Sequence, residues 1–188
     1  MTPVYIAGGA VLLLVLLVVA SYNRFVRQRN LVEESWKQVD VELRRRYDLI
    51  PNLVETVKGY AAHERATLEA VIQARAAAAA PAASRTEQGA DETTLTRSLR
   101  GLLAVAEAYP QLKADAQFRM LQTELAETED RIAAARRFYN GNVRAYNTRI
   151  DTVPSSLIAG TFHFEKAEYF EVEEAAARGP VAVNIEPA

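Results

Sequence analysis

Two histidines are the residues whose type most readily supports acid–base or metal chemistry. His63 precedes Glu64, but no second histidine follows at the spacing of a metalloprotease helix. We therefore expect His63 to lie at the edge of a polar helix face. His163 stands among aromatic residues, and we expect it to pack against the helical part of the protein. The sequence predicts no catalytic role for either histidine.

A group of carboxylates resembles a metal site at first sight; its members are Glu124, Glu127, Glu129 and Asp130. A helical di-iron site also needs Glu-x-x-His pairs, and this helix has no histidine. We expect a solvated face that pairs with Arg131 and Arg136. The chain also lacks cysteine, a glycine-rich phosphate loop and a nucleophile elbow. We therefore expect no catalytic residue, metal or cofactor, and a protein that is not an enzyme.

Four asparagines form two pairs with the same spacing, seven residues apart: Asn23 with Asn30, and Asn140 with Asn147. Tyr139 and Tyr146 directly precede the second pair. If the chain folds back an even number of times, both pairs lie at one level and could hydrogen-bond across a helical bundle. The alternative is that these asparagines lie on solvated faces.

Pro51 follows a basic run formed by Arg44, Arg45 and Arg46. A proline inside a helix is unfavourable by about 3 kcal/mol, whereas it is favoured in a first turn. Asp48 could then cap the next helix, which would begin with Pro51 and Asn52. The uninterrupted apolar pattern on both sides favours the alternative, a single kinked helix. We favour a turn at Pro51, with the arginines at a helix end or forming a docking surface for an acidic partner.

The elements that must position these residues begin with an apolar run from Val4 to Ala20, extended to Tyr22, which is long enough to cross a bilayer. Arg24, Arg27 and Arg29 follow it, so the positive-inside rule places the N-terminus outside and the rest in the cytoplasm. The alternative is a cleaved signal peptide and an exported protein. We expect residues 1–22 to anchor the chain in the bacterial inner membrane as a single pass.

After the anchor, apolar residues recur with a helical period, which predicts an all-α fold. The expected four-helix bundle covers residues 23–150, with helices near 23–48, 51–80, 91–109 and 112–150. Asp91 is the expected N-cap of the third helix, and Pro110 interrupts the pattern before the fourth. Residues 151–188 are expected to form short extended or helical pieces, including a helix within 165–178, and a loose tail.

Two blocks resemble the signature sequences of the LemA family of bacterial proteins, "YNRFVRQRNLVEESWKQVDVELRRRYDLIPNLVETVKGYAAHERATLEAVIQAR" and "EAYPQLKADAQFRMLQTELAETEDRIAAARRFYNGNVRAYNTRI". The resemblance covers nearly the whole chain from Tyr22 to Phe170. The family's Pro-Ser-x-x-Ile-Ala-Gly-x-Phe stretch matches Pro154 to Phe162. The resemblance implies an N-terminal membrane helix followed by a four-helix bundle, with a short N-terminus outside the cytoplasm. It implies no activity and supplies no catalytic residues.

With 22 basic and 24 acidic residues the chain is nearly neutral, and no nucleic-acid partner is expected. The expected function is a membrane scaffold or adaptor that binds the lipid bilayer and either a second copy of itself or another membrane protein. The alternative is a sensor or regulatory subunit that binds a small ligand or peptide between helices. A hydrolase or metal enzyme is the least favoured function.

Overall fold

The computed structural model of the protein describes residues 2–172, and this part of the chain is all-helical, as predicted. The helices are α1 (Thr2–Tyr60), α2 (Arg65–Ala79), α3 (Arg85–Glu107), α4 (Pro110–Ala114), α5 (Ala116–Asp151) and α6 (Ser155–Thr161). The main pairings are α1 with α5 and α2 with α3. The finer prediction of an up-and-down four-helix bundle stays a prediction. The predicted loose tail lies outside the described residues.

Helix α1 runs without a break from the apolar N-terminal run into the rest of the fold. Its 59 residues correspond to about 88 Å at 1.5 Å per residue. The apolar part is long enough to cross a membrane and has a mean hydropathy of 2.3, and none of it is buried. The buried core begins only at Phe25. We call residues 4–22 the span and residues 23–172 the body.

The predicted turn at Pro51 is wrong, because Pro51 lies inside α1. The chain reverses instead over residues 61–64. The apolar residues keep their helical spacing on both sides of the proline, and this favours one continuous helix. Ile50, Leu53 and Val57 are all buried. A break at Pro51 would take part of this stripe out of the core.

Arg75 on α2 compensates for the hydrogen bond that Pro51 cannot make. Proline has no backbone N–H, so the carbonyl four residues earlier, that of Tyr47, lacks its helical donor. The Nε of Arg75 donates to this carbonyl at 2.7 Å. A side chain from a neighbouring helix thus fills the gap in the helical ladder.

Helix α3 begins earlier than predicted, at Arg85 rather than Asp91. Its N-cap is Ser84, whose hydroxyl accepts from the backbone N–H of Glu87 at 3.1 Å. The Glu87 carboxylate in turn accepts from the N–H of Ala83 at 2.7 Å. A capping box would place the Glu87 carboxylate on the N–H of the N-cap Ser84 itself, whereas here it binds the N–H one residue earlier. Asp91 lies inside the helix and does not cap it.

The predicted interruption at Pro110 is confirmed. Helix α3 ends at Glu107, and Pro110 opens the short helix α4. Helix α5 then begins after Asp115, whose carboxylate accepts from the N–H of Phe118 at 2.8 Å. This break returns the chain antiparallel to α1, so that the ring of Trp36 meets that of Tyr139.

The predicted pairing between the two sets of asparagines is wrong. Asn23 and Asn30 are exposed on α1. Asn147 instead donates to the carbonyl of Ala167 and accepts from its N–H, both at 2.9 Å. Asn140 does the same with Phe170, both at 3.0 Å. The two asparagines therefore bind the backbone of the chain segment that follows α6.

This C-terminal segment (residues 164–172) forms neither helix nor strand, and an extended course fits the asparagine spacing. Seven helical residues rise about 10.5 Å, and three extended residues span about 10 Å, which matches the three residues from Ala167 to Phe170. The expected helix is therefore absent over residues 165–172, and residues 173–178 lie outside the described part. The preceding stretch, expected to be extended or irregular, contains the short helix α6.

Candidate functional site

The interior of the body contains a polar cluster centred on Arg46, which is 1% exposed. The prediction of Arg46 as a docking residue is therefore wrong. Because α1 continues as a helix, position 46 stays on the buried stripe that carries Leu43 and Ile50. Arg44 and Arg45 point outward as predicted.

Arg46 connects three helices through charged and polar partners. Its guanidinium donates to Glu129 on α5 at 2.7 Å and to Thr96 on α3 at 3.2 Å. It also donates to Glu92 on α3, which is fully buried. Glu129 is about one-third exposed, so the cluster extends from the interior to the surface.

Glu92 also receives donors from two other side chains. The hydroxyl of Tyr47 donates to it, and Gln88 donates to it at 3.0 Å. Tyr47 also contacts the carbonyl of Ala78 at 2.9 Å. The carboxylate of Glu92 thus has donors from α1 and α3, as a buried charge requires.

Burial and the neighbouring charges act in opposite directions on these groups. Burial raises the pKa of Glu92, although Arg46, Tyr47 and Gln88 act to lower it. Burial also disfavours the charge of Arg46, but Glu129 and Glu92 outweigh this effect and raise its pKa. Burial and the charge of Glu92 raise the pKa of Tyr47, which therefore stays a hydrogen-bond donor. Arg46 is thus a fixed cation inside the body.

A cavity of about 430 Å³ lies between α3 and α5, and Arg46 and Glu92 line it from the inside. Its walls are mainly apolar and include Leu99, Leu125 and Ile132. The Nε of Arg46 is buried and has no hydrogen-bond partner in the described part of the chain. A site of this size, with apolar walls and a few polar groups, fits a small ligand or one side chain of a peptide.

The other predicted surface residues lie where solvent reaches them. Arg44 pairs with Asp40 at 2.9 Å, and Arg45 lies 3.7 Å from Glu42. Asp48 is exposed within α1, so it does not cap a helix as predicted.

Asn52 is also exposed, and its backbone carbonyl accepts from the hydroxyl of Thr56 at 2.8 Å. The structure brings none of these side chains into the polar cluster.

The two predicted tyrosines pack between α1 and α5. The ring of Tyr146 lies 6.3 Å from that of Phe25. The hydroxyl of Tyr139 donates to the carbonyl of Glu168 at 2.8 Å. Both therefore help to position the C-terminal segment and the two long helices.

Both histidines are exposed in the structure. His63 is exposed, as expected for a polar position, but it lies in the turn after α1 rather than on a helix. The packing predicted for His163 is wrong: it lies in the turn after α6 with a left-handed φ of 56°. In residues 2–172, no group of three or more histidine, aspartate or glutamate side chains is arranged to hold a metal ion.

Comparison with known proteins adds relatives to this geometry. Magnetosome protein MamQ 1 of Paramagnetospirillum magneticum is 29% identical over 180 residues, covering 82% of this chain and 66% of its own length. Magnetosome protein MamQ of Magnetospirillum gryphiswaldense is 27% identical over 179 residues, with the same coverage of both chains. This chain thus spans just under two thirds of these relatives.

A third relative is protein LemA of Metamycoplasma hominis, 25% identical over 153 residues, which cover 81% of this chain and 69% of that protein. None of these names states a reaction. A sequence model described as the LemA family matches residues 35–185, which include α1 from Ser35 onward and every later helix. The chain therefore belongs to the LemA family.

Proposed function

We propose that this protein is a single-pass membrane scaffold whose body holds a partner protein at the membrane, either a second copy or another membrane protein. The observation that carries the proposal is the continuity of α1, which contains both the span and the central Arg46. A helix without a flexible joint keeps the body in a defined orientation relative to the bilayer.

The orientation that fits this function places the body in the cytoplasm, with the span in the inner membrane. Arg24, Arg27 and Arg29 directly follow the span, where the positive-inside rule expects cytoplasmic residues. The chain has no cysteine, so a single cysteine can be introduced at Ile72, which is exposed on α2. In intact spheroplasts, a membrane-impermeant maleimide should label Ile72→Cys only after lysis. Labelling before lysis would show an exported body.

In-cell cross-linking tests the scaffold function. Photo-reactive amino acids placed at Val41 and Met120, both exposed, should form adducts with a second copy or with one defined membrane protein. The same amino acid at the buried Leu43 is the matched control and should form none. The scaffold proposal is rejected if the protein is strictly monomeric in nanodiscs and the exposed positions yield no adduct.

A second candidate function, a regulatory subunit that binds a small ligand or peptide, is favoured by the cavity between α3 and α5. Ala133 lines this cavity, whereas Ala134 is exposed beside it on the same helix. A compound or peptide that raises the melting temperature of the parent protein should lose its effect with Ala133→Leu. It should keep its effect with Ala134→Leu. Equal responses of both variants would place the ligand elsewhere.

A further inference from the structure

The end of the body next to the span exposes three large apolar side chains on one short piece of chain. In the turn after α5 and along α6, Val153 is 75% exposed, Leu157 69% and Phe162 46%. We call these three residues the α6 edge. A group of exposed apolar side chains on one small element indicates a contact surface.

Aromatic contacts place the α6 edge at the level where the span ends. The ring of Tyr22 lies 4.9 Å from that of Phe162 and 5.6 Å from that of Phe164. Tyr22 follows the last apolar residues of the span, and tyrosine side chains are enriched at the headgroup level of membranes. If the span crosses a bilayer, α6 therefore lies at its surface.

Several contacts hold α6 in this position. The hydroxyl of Ser155 lies within hydrogen-bond distance of the carbonyls of Arg149 and Thr152, at 2.8 Å and 2.7 Å, and can donate to either. The ring of Phe164 stacks on that of Phe25 at 4.8 Å. The α6 edge is therefore part of the body and does not depend on a free chain end for its location.

Basic residues surround the same level. Arg24 and Arg27 are exposed immediately after the span. Burial lowers the pKa of Arg149, and the nearby positive charge of Arg24 lowers it further. Two cationic groups therefore lie close together at this level. The carboxylate of Asp151 is already paired with Lys166 at 2.8 Å. Phosphate groups of anionic lipids would complement this excess of positive charge.

We infer that the α6 edge inserts into the headgroup layer of the bilayer that the span crosses, and that Arg24 and Arg27 bind anionic phospholipid there. The inference rests on the proposed membrane anchoring of the span. It adds a second membrane contact, about 135 residues further along the chain than the span, on the same side of the body as Tyr22. Two contacts fix the rotation of the body about the span axis as well as its height.

Depth-dependent fluorescence quenching tests this inference on the full chain in nanodiscs. Single cysteines replace Leu157, Ile72 and Leu14 in separate variants, and each is labelled with an environment-sensitive fluorophore. Lipids with a quencher near the headgroup should reduce the emission from Leu157→Cys. They should leave Ile72→Cys unchanged, since Ile72 lies far along the body. Quenchers deep in the acyl layer should reduce the emission from Leu14→Cys.

The three positions separate the possible failures. If Leu14→Cys is not quenched, the proposed anchoring itself is wrong. If Leu14→Cys is quenched and Leu157→Cys is not, anchoring stands and the α6 contact is overturned. A blue-shifted but unquenched Leu157→Cys also overturns it, because protein rather than lipid then covers the α6 edge.

The lipid charge is tested with quencher-bearing phosphatidylglycerol and phosphatidylcholine. Phosphatidylglycerol should quench Leu157→Cys more strongly, and the double substitution Arg24→Gln and Arg27→Gln should remove the difference between the two lipids. Arg97→Gln, an exposed change on α3, is the control and should preserve it. Equal quenching by both lipids in the parent protein would overturn the anionic-lipid part of the inference.

Discussion

Pro51 and Arg75 form one hydrogen-bonding unit although they lie on different helices. Arg75→Ala leaves the carbonyl of Tyr47 without its donor at 2.7 Å, so the free energy of unfolding should fall by about 1–3 kcal/mol. In a Pro51→Ala background the restored backbone N–H can take over this carbonyl, and the same change should have a much smaller effect. A double-mutant cycle in chemical denaturation measures the difference.

The matched control for that cycle is Arg65→Ala, at an exposed position on the same helix. It should show equal, small effects with and without Pro51. Equal losses for Arg75→Ala in both backgrounds would contradict the role assigned to Arg75.

Arg46 provides a second prediction at the scale of one residue. Arg46→Ala leaves Glu92 buried without its cation, and the expected loss of stability is about 3–5 kcal/mol. Adding Glu92→Gln should recover part of the loss, because it removes the uncompensated carboxylate. Arg45→Ala, at the neighbouring exposed position, should change stability by about 0.5 kcal/mol or less. A loss for Arg46→Ala as small as that for Arg45→Ala would contradict the structure.

The burial of Arg46 was open to prediction, but three adjacent arginines favoured a surface interpretation. Its position three residues after Leu43 and four before Ile50 places it on the apolar stripe. Glu92 lies three residues before Leu95 and seven before Leu99, which places it on the apolar stripe of α3. Two opposite charges on facing apolar stripes indicate a buried pair. Which helices face each other, however, depends on the turn positions, and the first turn lies at residues 61–64 rather than at Pro51.

At the scale of one element, the N-cap of α5 predicts a specific pH dependence. Hydrogen bonds from the Phe118 N–H and then the Tyr60 hydroxyl lower the pKa of Asp115. Because the folded pKa is lower than the unfolded one, Asp115 stabilises the fold above the unfolded value of about 3.9. This contribution is lost as the pH falls through the lower folded value.

Asp115→Asn keeps a good capping side chain that does not titrate in this range. Its melting temperature should therefore fall less than that of the parent protein on acidification below about pH 4. Parallel curves for the two proteins would show that the Asp115 carboxylate does not have a lowered pKa.

Two glycines of α3 provide a matched pair that tests the contact between α3 and the C-terminal segment. A Cβ at Gly89 would lie 2.2 Å from the carbonyl oxygen of Glu171, whereas a Cβ at Gly101 would meet nothing within 4 Å. Gly101→Ala should stabilise the protein by about 0.5–1 kcal/mol through helix propensity. Gly89→Ala should destabilise it and increase tryptic cleavage after Lys166, because the segment must move. Equal cleavage of both variants would contradict the contact between Gly89 and the backbone of Glu171.

Helical periodicity predicted the elements better than their ends. The sequence predicts the apolar stripe of α5 and the interruption at Pro110 between α3 and α5, because both depend on local sequence. The start of α3 differs from the prediction because Ser84, within a polar stretch that predicts a loop, is the N-cap of the helix. The extended C-terminal segment could not be read locally, since side chains of another helix, Asn140 and Asn147, hold its backbone.

At the scale of the whole molecule, the body should fold without the span. No residue of the apolar window is buried, and the core begins at Phe25. A chain that begins at Ser21 should therefore unfold cooperatively, with a helical circular dichroism spectrum and a melting temperature close to that of the full chain in nanodiscs. A non-cooperative transition would show that the core needs the membrane helix.

Helix α5 ends at the level where the body begins, although the first turn lies elsewhere than predicted. The chain reverses at residues 61–64 rather than at Pro51, and Phe25 on α1 still meets Tyr146 near the end of α5. The return of α5 to this level follows from the helical pattern, whereas the hydrogen-bond partners depend on exact register.

Because α1 is unbroken, a tilt of the span would also displace the far end of the body. Tyr60 lies 38 residues beyond Tyr22, which corresponds to about 57 Å along the helix axis. Membrane helices adjust to bilayer thickness by tilting, and a tilt of about 20° would carry Tyr60 sideways by about 20 Å. If the span crosses a bilayer, a change in bilayer thickness that alters its tilt would therefore move the far end of α1 by a distance that a neighbouring protein could sense.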